Sequence, residues 1–286
     1  MTRIIDTLDE IAGDYSTLLC DLWGCYHDGI RPFPAAVAAL QRYRRRGGRV
    51  LLLTNAPRPA ASVRRFLDAM GAPADSYDAI MSSGEACQRA IASGTHGRQF
   101  HYVGPSRDVH MLTDTGREPA PLDRAEALVC TGLRDEETET PEDYAADIAD
   151  WVARGLPMLC ANPDIVVDRG HMRLWCAGAI ARDFAAAGGE VIWFGKPHAT
   201  SYEQSFALLA EMAGAPVPRD SVLAVGDGIA TDVKGAVDYG VDACFVSGGL
   251  AAREVGSDPE HPDTARLARW LEAEGIAPHY TIGRLR

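Results

Sequence analysis

The strongest constraint on the fold is an alternation of short apolar runs with helix-forming segments at both ends of the chain. The first block predicts strands at Thr17–Trp23 and Arg49–Asn55 and helices at Pro34–Arg46 and about Ala60–Met70. A later block predicts strands at Glu190–Phe194, Ser221–Val225 and Asp242–Val246 and helices at Ser201–Ala213 and Thr231–Tyr239. This alternation predicts an α/β fold with a doubly wound, Rossmann-like parallel sheet and helices on both faces.

The middle of the chain alternates as well, which predicts a second α/β domain inserted into the first. Strands are predicted at Phe100–Val103, Ala127–Thr131 and Pro157–Ala161, and a helix is predicted to open at Thr140–Asp143. We therefore expect a core domain built from residues 1–80 and 190–286, with a cap domain at residues 81–189. At the N-terminus, the spacing of Ile4, Ile5, Leu8 and Ile11 predicts an amphipathic helix that packs on the core.

Composition excludes several classes of function. Lys and Arg number 28 against 40 Asp and Glu, and the resulting net charge of −12 argues against binding to nucleic acid or to an anionic membrane. No signal peptide or membrane span is visible, so we expect a cytoplasmic protein. The seven cysteines contain no CxxC pair and are predicted to be reduced core residues. The oligomeric state stays open, with a homo-oligomer among the options.

Acidic and phosphate-binding side chains follow the predicted strands of the two outer blocks. These residues are Asp21, Thr54, Asn55, Lys196, Asp227 and Asp232. Lys196 is one of only two lysines in the chain. Ligands in open α/β sheets bind at the carboxyl ends of the strands, so we expect these groups to share one edge. Carboxylates suit Mg²⁺, and a hydroxyl, an amide and an ammonium group suit phosphate, so the set predicts a magnesium and phosphate site.

Six sequence segments resemble one family in their order and spacing. They are DLWGCYHDG, LLLTNAP, CANPDIVVDRG, CAGAIARDF, FGKPH and VGDGIATDVKGA, between residues 21 and 236. This set resembles the haloacid dehalogenase superfamily, and specifically its class IIA, the NagD-like phosphatases. The resemblance covers nearly the whole chain. It implies a hydrolase that removes phosphate from a small phosphorylated metabolite with the help of Mg²⁺.

The resemblance also implies a role for each matching residue. Asp21 would be the nucleophile that forms an aspartyl-phosphate, and Thr54 and Asn55 would bind the phosphate. Lys196 would hold Asp21 and the phosphoryl oxygens. Asp21, Asp227 and the backbone carbonyl of Trp23 would ligate Mg²⁺, and Asp232 would act through water or orient Lys196. Asn162 and Asp164, in the predicted cap, would close over the substrate.

Trp23 is the one departure from the family pattern. The resemblance implies an aspartate two residues after the nucleophile, which protonates the leaving group and then activates water. An indole cannot transfer a proton at neutral pH. Loss of such a group typically slows a reaction by about 10²–10⁴-fold. His27 and Asp28 are near in sequence and are the first substitutes to consider.

Two other functions remain open on the sequence alone. A dehalogenase would explain an aromatic residue at position 23, because enzymes of that branch of the family carry one there, but it would leave Asp227 and Asp232 without a role. A catalytically weak or inactive protein that binds a phosphorylated ligand would explain the missing proton donor. A phosphatase assay with and without Mg²⁺, run beside a chloride-release assay, separates the three.

Overall fold

The computed structural model describes residues 2–169 and 172–286, and the chain divides into two compact units. The first unit comprises Met1–Thr54, Ala61–Met81 and Ser201–Arg286, and the second comprises Asn55–Ala60 and Ser82–Thr200. Gly170, the last residue of the CANPDIVVDRG segment, and the adjacent His171 lie outside the described residues.

A seven-stranded sheet forms the centre of the first unit. Its strands are β1 (Arg3–Ile4), β2 (Thr17–Cys20), β3 (Arg49–Thr54), β4 (Ala79–Ser82), β11 (Val222–Gly226), β12 (Asp242–Val246) and β13 (Tyr280–Ile282). The order across the sheet is β1-β13-β12-β11-β2-β3-β4, and the pairings from β1 to β3 are parallel. All residues of β2 and β11 are buried, as expected for central strands covered on both faces.

A second sheet lies in the second unit. Its strands are β5 (Phe100–Val103), β6 (Ala127–Cys130), β7 (Met158–Cys160) and β10 (Val191–Trp193), in the parallel order β10-β7-β6-β5. A separate antiparallel pair joins β8 (Val166–Arg169) and β9 (Met172–Trp175). Trp151 and Phe184 are fully buried in the core beside this sheet, with their rings 6.4 Å apart.

The helices cover the sheets as the alternation predicts. They are α1 (Pro34–Arg45), α2 (Ala60–Ala69), α3 (Ser83–Ser93), α4 (His110–Thr113), α5 (Ala145–Ala153), α6 (Ala177–Ala186), α7 (Ala199–Ala213), α8 (Lys234–Tyr239), α9 (Ala252–Val255) and α10 (Thr264–Glu274). The predicted helix opening at Thr140 is confirmed: its N–H donates to the Asp143 carboxylate at 2.8 Å. A 3₁₀ turn over Pro141–Tyr144 then leads into α5.

The fold class predicted from the sequence is confirmed, since a parallel core sheet is accompanied by a second α/β unit. One strand was assigned to the wrong sheet. The run at 190–194 was expected in the second core segment, but Val191–Trp193 pairs with Met158–Cys160 as an edge strand of the four-stranded sheet. A short apolar run predicts a buried strand but does not predict which sheet that strand joins. The proposed domain boundaries stay a prediction.

The prediction of an amphipathic helix at the N-terminus is also wrong. Arg3 and Ile4 form an edge strand that pairs with Tyr280 and Thr281, and only Leu8–Glu10 is helical, as a 3₁₀ turn. Pairing with a strand nearly 280 residues away decides this segment, and a local period cannot reveal such a partner. No helix among the described residues is long and apolar enough to cross a membrane. All seven cysteines are buried and outside any disulfide, as predicted.

Candidate active site

Asp21 stands where the buried strand β2 ends, at the carboxyl edge of the seven-stranded sheet. Its N–H donates to the carbonyl of Val225 at 2.8 Å and so continues the pairing of β2 with β11. The residue is only 7% exposed. Since an ionised carboxylate is costly to bury without compensating partners, this placement is typical of a functional acid.

Asp227 follows the adjacent strand β11, and the structure brings it to Asp21. Ligand atoms of Asp21, Asp227 and Cys25 all lie within 4.8 Å of one another, and all three residues are buried. The expectation that the two aspartates meet at one edge of the sheet is confirmed. Burial and the carboxylates of Asp227 and Asp21 raise the pKa of the Cys25 thiol well above its usual value, so Cys25 is a neutral thiol here.

Two glycines form a close-fitting cradle around the Asp227 carboxylate. A Cβ at Gly24 would lie 2.0 Å from Asp227 Oδ2, and one at Gly249 would lie 2.1 Å from the same atom. The N–H of Leu250 donates to this oxygen at 2.9 Å. Sequence reasoning missed Gly249 and Leu250. The Gly248–Gly249 pair, separated from the end of β12 by one residue, was the available signal, because glycine near the carboxyl end of a strand permits close backbone approach.

Asp232 lies on a π-helical turn, Ile229–Val233, that precedes α8. Its carboxylate accepts the N–H of Gly228 at 3.0 Å, and a Cβ at Gly226 would lie 2.1 Å from its Cγ. Turns of this kind inside helices occur frequently at functional sites. The contact with Gly228 ties Asp232 to the loop that carries Asp227.

Thr54 completes the predicted set within the first unit. It is the last residue of β3, which pairs with β2, and it is 3% exposed. Asp21, Thr54 and Asp227 thus follow or end three neighbouring strands at their carboxyl ends. This part of the predicted convergence is confirmed.

Trp23 is half-exposed on the loop that follows Asp21. Its ring covers Gly29, where a Cβ would lie 2.3 Å from the indole, and it meets His27 edge-to-face with the ring centres 5.1 Å apart. The N–H groups of Tyr26 and His27 both donate to the carbonyl of Leu22, at 2.8 and 3.0 Å, and close the loop. The Trp23 carbonyl stays a predicted metal ligand.

The two nearby candidates for a proton donor are both unsuited. Burial lowers the pKa of His27 to about 4, and its Nδ1 accepts the N–H of Gly29 at 3.0 Å. Within the described chain its buried Nε2 has no hydrogen-bond partner. Asp28 accepts the N–H groups of Ile30 and Arg31 at 2.9 and 2.8 Å, and these bonds lower its pKa. A neutral imidazole and an ionised, turn-capping carboxylate are both poor general acids at neutral pH.

The remaining predicted site residues gather in the second unit, around Asn55. Its Nδ2 donates to Asp164 Oδ1 at 2.9 Å and to the carbonyl of Lys196 at 3.0 Å, and its Oδ1 accepts the N–H of Lys196 at 2.7 Å. Asn162 Oδ1 accepts the N–H of Asp164 at 3.0 Å. Lys196 is 3% exposed, and a lysine buried to this degree needs polar or anionic partners. The structure therefore brings Asn55, Asn162, Asp164 and Lys196 together.

Close backbone packing explains two glycines of this network. A Cβ at Gly195 would lie 2.5 Å from Pro163 Cδ, and one at Gly178 would lie 2.2 Å from the carbonyl oxygen of Pro163. Gly195 also has φ +117°, in the region that favours glycine. The glycines of the FGKPH and CAGAIARDF segments thus hold the Asn162–Asp164 turn in place.

The donor set in the first unit fits a hard divalent cation. Asp21 and Asp227 supply two carboxylates within reach of one ion, and the cradle of Gly24 and Gly249 sets the position of the Asp227 carboxylate. Mg²⁺ is typically held by one or two carboxylates, together with water and substrate phosphate. Asp21, Asp227 and, through the loop, Asp232 are the residues that would hold it.

Sequence and structure comparisons agree on the family. A model described as haloacid dehalogenase-like hydrolase matches residues 18–118, and a related HAD-hydrolase-like model matches residues 193–272. A haloacid dehalogenase-like hydrolase from Brucella suis is 36% identical, with a TM-score of 0.82 over 99% of this chain and 100% of that one. The chain belongs to the haloacid dehalogenase superfamily of hydrolases, in class IIA, and the resemblance seen in the sequence is confirmed.

More distant structures share the fold. A p-nitrophenyl phosphatase from Archaeoglobus fulgidus is 20% identical, with a TM-score of 0.75 over 95% of this chain and 97% of that one. A glycerol phosphate phosphatase from Mycobacterium tuberculosis, solved in complex with calcium, is 24% identical, with a TM-score of 0.64 over 87% of this chain and 71% of that one. No curated protein matches the chain.

Proposed function

We propose that this hydrolase removes phosphate from a small phosphomonoester in a Mg²⁺-dependent reaction. The observation that carries the proposal is the buried pair of carboxylates, Asp21 and Asp227, with ligand atoms within 4.8 Å at the ends of adjacent strands. Bound Mg²⁺ would neutralise charge on the phosphoryl oxygens. The phosphatase folds among the structural neighbours agree with this substrate class.

The proposed chemistry proceeds through Asp21. Its carboxylate attacks phosphorus in line, the P–O bond to the leaving group breaks, and an aspartyl-phosphate forms. Water then attacks phosphorus and returns the free carboxylate and inorganic phosphate. Lys196, Thr54 and Asn55 are proposed to bind the phosphoryl oxygens, and Asn162 and Asp164 are proposed to contact the substrate.

Because Trp23 replaces the proton donor, the rate of hydrolysis should depend strongly on the leaving group. The indole provides no proton, and His27 and Asp28 are unsuited to replace it for the reasons given above. A phenolate leaves readily without protonation, whereas an unprotonated alkoxide leaves much more slowly because it is far more basic. We therefore expect the enzyme to hydrolyse aryl phosphates and to act on alkyl phosphates about 10²–10⁴-fold more slowly than an enzyme with a general acid.

The test compares p-nitrophenyl phosphate with an alkyl phosphate, with and without Mg²⁺. Trp23→Asp should raise alkyl phosphate turnover, because it introduces a carboxyl group at the family position. Trp23→Asn is the matched control, since asparagine has about the size of aspartate but carries no acidic proton. Trp23 is 49% exposed, so its removal opens no closed cavity, and both variants should fold.

Three results would contradict the proposal. Equal hydrolysis of alkyl and aryl phosphates by the wild type, with chemistry rate-limiting, would show that another group transfers the proton. Chloride release from a haloacid without Mg²⁺ would identify a dehalogenase. Tight binding of phosphorylated ligands with no turnover of p-nitrophenyl phosphate would identify a binding protein.

A further inference from the structure

Cys25 places a sulfur atom inside the carboxylate pair. It is 1% exposed, and its Sγ lies within 4.8 Å of ligand oxygens of both Asp21 and Asp227. The mechanism proposed above gives the thiol no task. The hydrogen bonds from the N–H groups of Tyr26 and His27 to the Leu22 carbonyl close the loop that carries Cys25, and the glycine cradle surrounds Asp227.

The chemistry of this mixed set differs from that of two carboxylates alone. Mg²⁺ takes oxygen ligands, whereas Zn²⁺ and Cd²⁺ take thiolate sulfur together with carboxylate oxygen. Metal–sulfur and metal–oxygen bonds of about 2.3 Å and 2.1 Å place ligand atoms about 3.5 Å apart around a tetrahedral ion. Separations of at most 4.8 Å therefore close with side-chain movements of about an ångström.

We propose that Asp21, Cys25 and Asp227 form a binding site for a thiophilic divalent cation, Zn²⁺ or Cd²⁺, that competes with Mg²⁺. On binding, the S–H bond of Cys25 breaks, a bond from Sγ to the metal forms, and the proton goes to water, with no change of oxidation state. The nucleophile Asp21 becomes a ligand of the ion. The inference rests on the proposed function for the competing Mg²⁺ site.

Cadmium binding to the metal-free protein provides a readout that does not depend on activity. Cd²⁺ bound to a thiolate gives a ligand-to-metal charge-transfer absorption in the ultraviolet. We expect the wild type to show this band at one equivalent, with release of a proton, and excess Mg²⁺ to suppress it. Cys25→Ser should remove the band. It should also weaken Cd²⁺ binding by at least about 10-fold, because even the loss of a group that only orients a metal ligand typically costs about 10- to 100-fold.

Cys244 supplies the matched control, since it is a buried cysteine in β12 and outside the cluster. Cys244→Ser should keep the band and the wild-type ratio of Cd²⁺ to Mg²⁺ affinity, whereas Cys25→Ser should lower that ratio. Cys25→Ala, with folding checked by circular dichroism, should repeat the loss if the serine variant is unstable.

The failures of the two proposals are distinguishable. An unchanged Cd²⁺ band and affinity in folded Cys25→Ser and Cys25→Ala would overturn the thiophilic site and leave the Mg²⁺ site intact. A Cd²⁺ band that depends on Cys25 but that Mg²⁺ does not suppress would overturn the competition. Mg²⁺ binding that is insensitive to Asp227→Asn would instead overturn the proposed function.

Discussion

Adding one methyl group at Gly249 should displace Asp227, because the new Cβ would overlap both its carboxylate and its Cβ. The new Cβ would lie 2.1 Å from Oδ2, 2.4 Å from Cβ and 2.6 Å from Cγ of Asp227, whereas ordinary contacts are 3.4–4 Å. The aspartate must therefore retreat by roughly an ångström, which breaks the 2.9 Å bond from the Leu250 N–H. Gly249 has no positive φ, so the substitution acts through this contact alone.

The magnitude follows from the strength of contacts made by a charged carboxylate. A hydrogen bond to a charged group contributes about 1.5–3 kcal/mol, and an Asp227 carboxylate displaced by roughly an ångström should lose interaction free energy with Mg²⁺ of about that size. Since each 1.4 kcal/mol is a factor of about ten, Gly249→Ala should weaken Mg²⁺ binding by about 10- to 100-fold. The affinity is measured by isothermal titration calorimetry, and circular dichroism confirms the fold.

Gly13→Ala is the matched control, because a Cβ at Gly13 has nothing within 4 Å. It should leave Mg²⁺ affinity at the wild-type value. A folded Gly249→Ala protein that binds Mg²⁺ as tightly as the wild type would refute the reasoning that the cradle positions a metal ligand.

Two further predictions concern the same unit. Asp227→Asn should weaken Mg²⁺ binding while the chain stays folded, because the amide removes the charge and keeps the shape; equal calorimetric affinities would contradict the metal assignment. The pKa of His27 is about 4 in the folded chain against about 6.5 when unfolded, so the unfolded state binds protons first and stability should fall as pH drops from 6.5 towards 4. The loss of stability amounts to at most about 3 kcal/mol. In His27→Leu the free energy of unfolding, measured by urea unfolding at pH 6.5 and pH 4, should depend less on pH than in the wild type. An unchanged pH dependence would argue against burial of a neutral His27 ring.

The order of buried strands and polar residues was readable from the sequence because it rests on local physics. Apolar runs such as that of β2 predict strands buried on both faces, and the parallel arrangement then requires that Asp21, Thr54 and Asp227 share one edge. The capping arrangement at Thr140 was readable for the same reason, since its partner Asp143 is three residues away.

Contacts between distant segments were not readable in this way. The sheet that Val191–Trp193 joins and the partner of Arg3–Ile4 depend on which edge lies open after the rest of the chain has folded. Asp227 lies between Gly24 and Gly249, and Gly24 is more than 200 residues away along the chain. Nothing in the sequence around either glycine predicts that it contacts Asp227.

By itself, the sequence determined the family, the α/β class and the residue types of the candidate site, because motif order and burial pattern are carried along the chain. Only the tertiary structure decided that Cys25 joins Asp21 and Asp227, that His27 is buried and neutral, and that Asn55 ties Asp164 to Lys196. The physical reason is that hydrogen bonding, close packing and desolvation act between atoms that are near in space, and the chain order does not contain those distances.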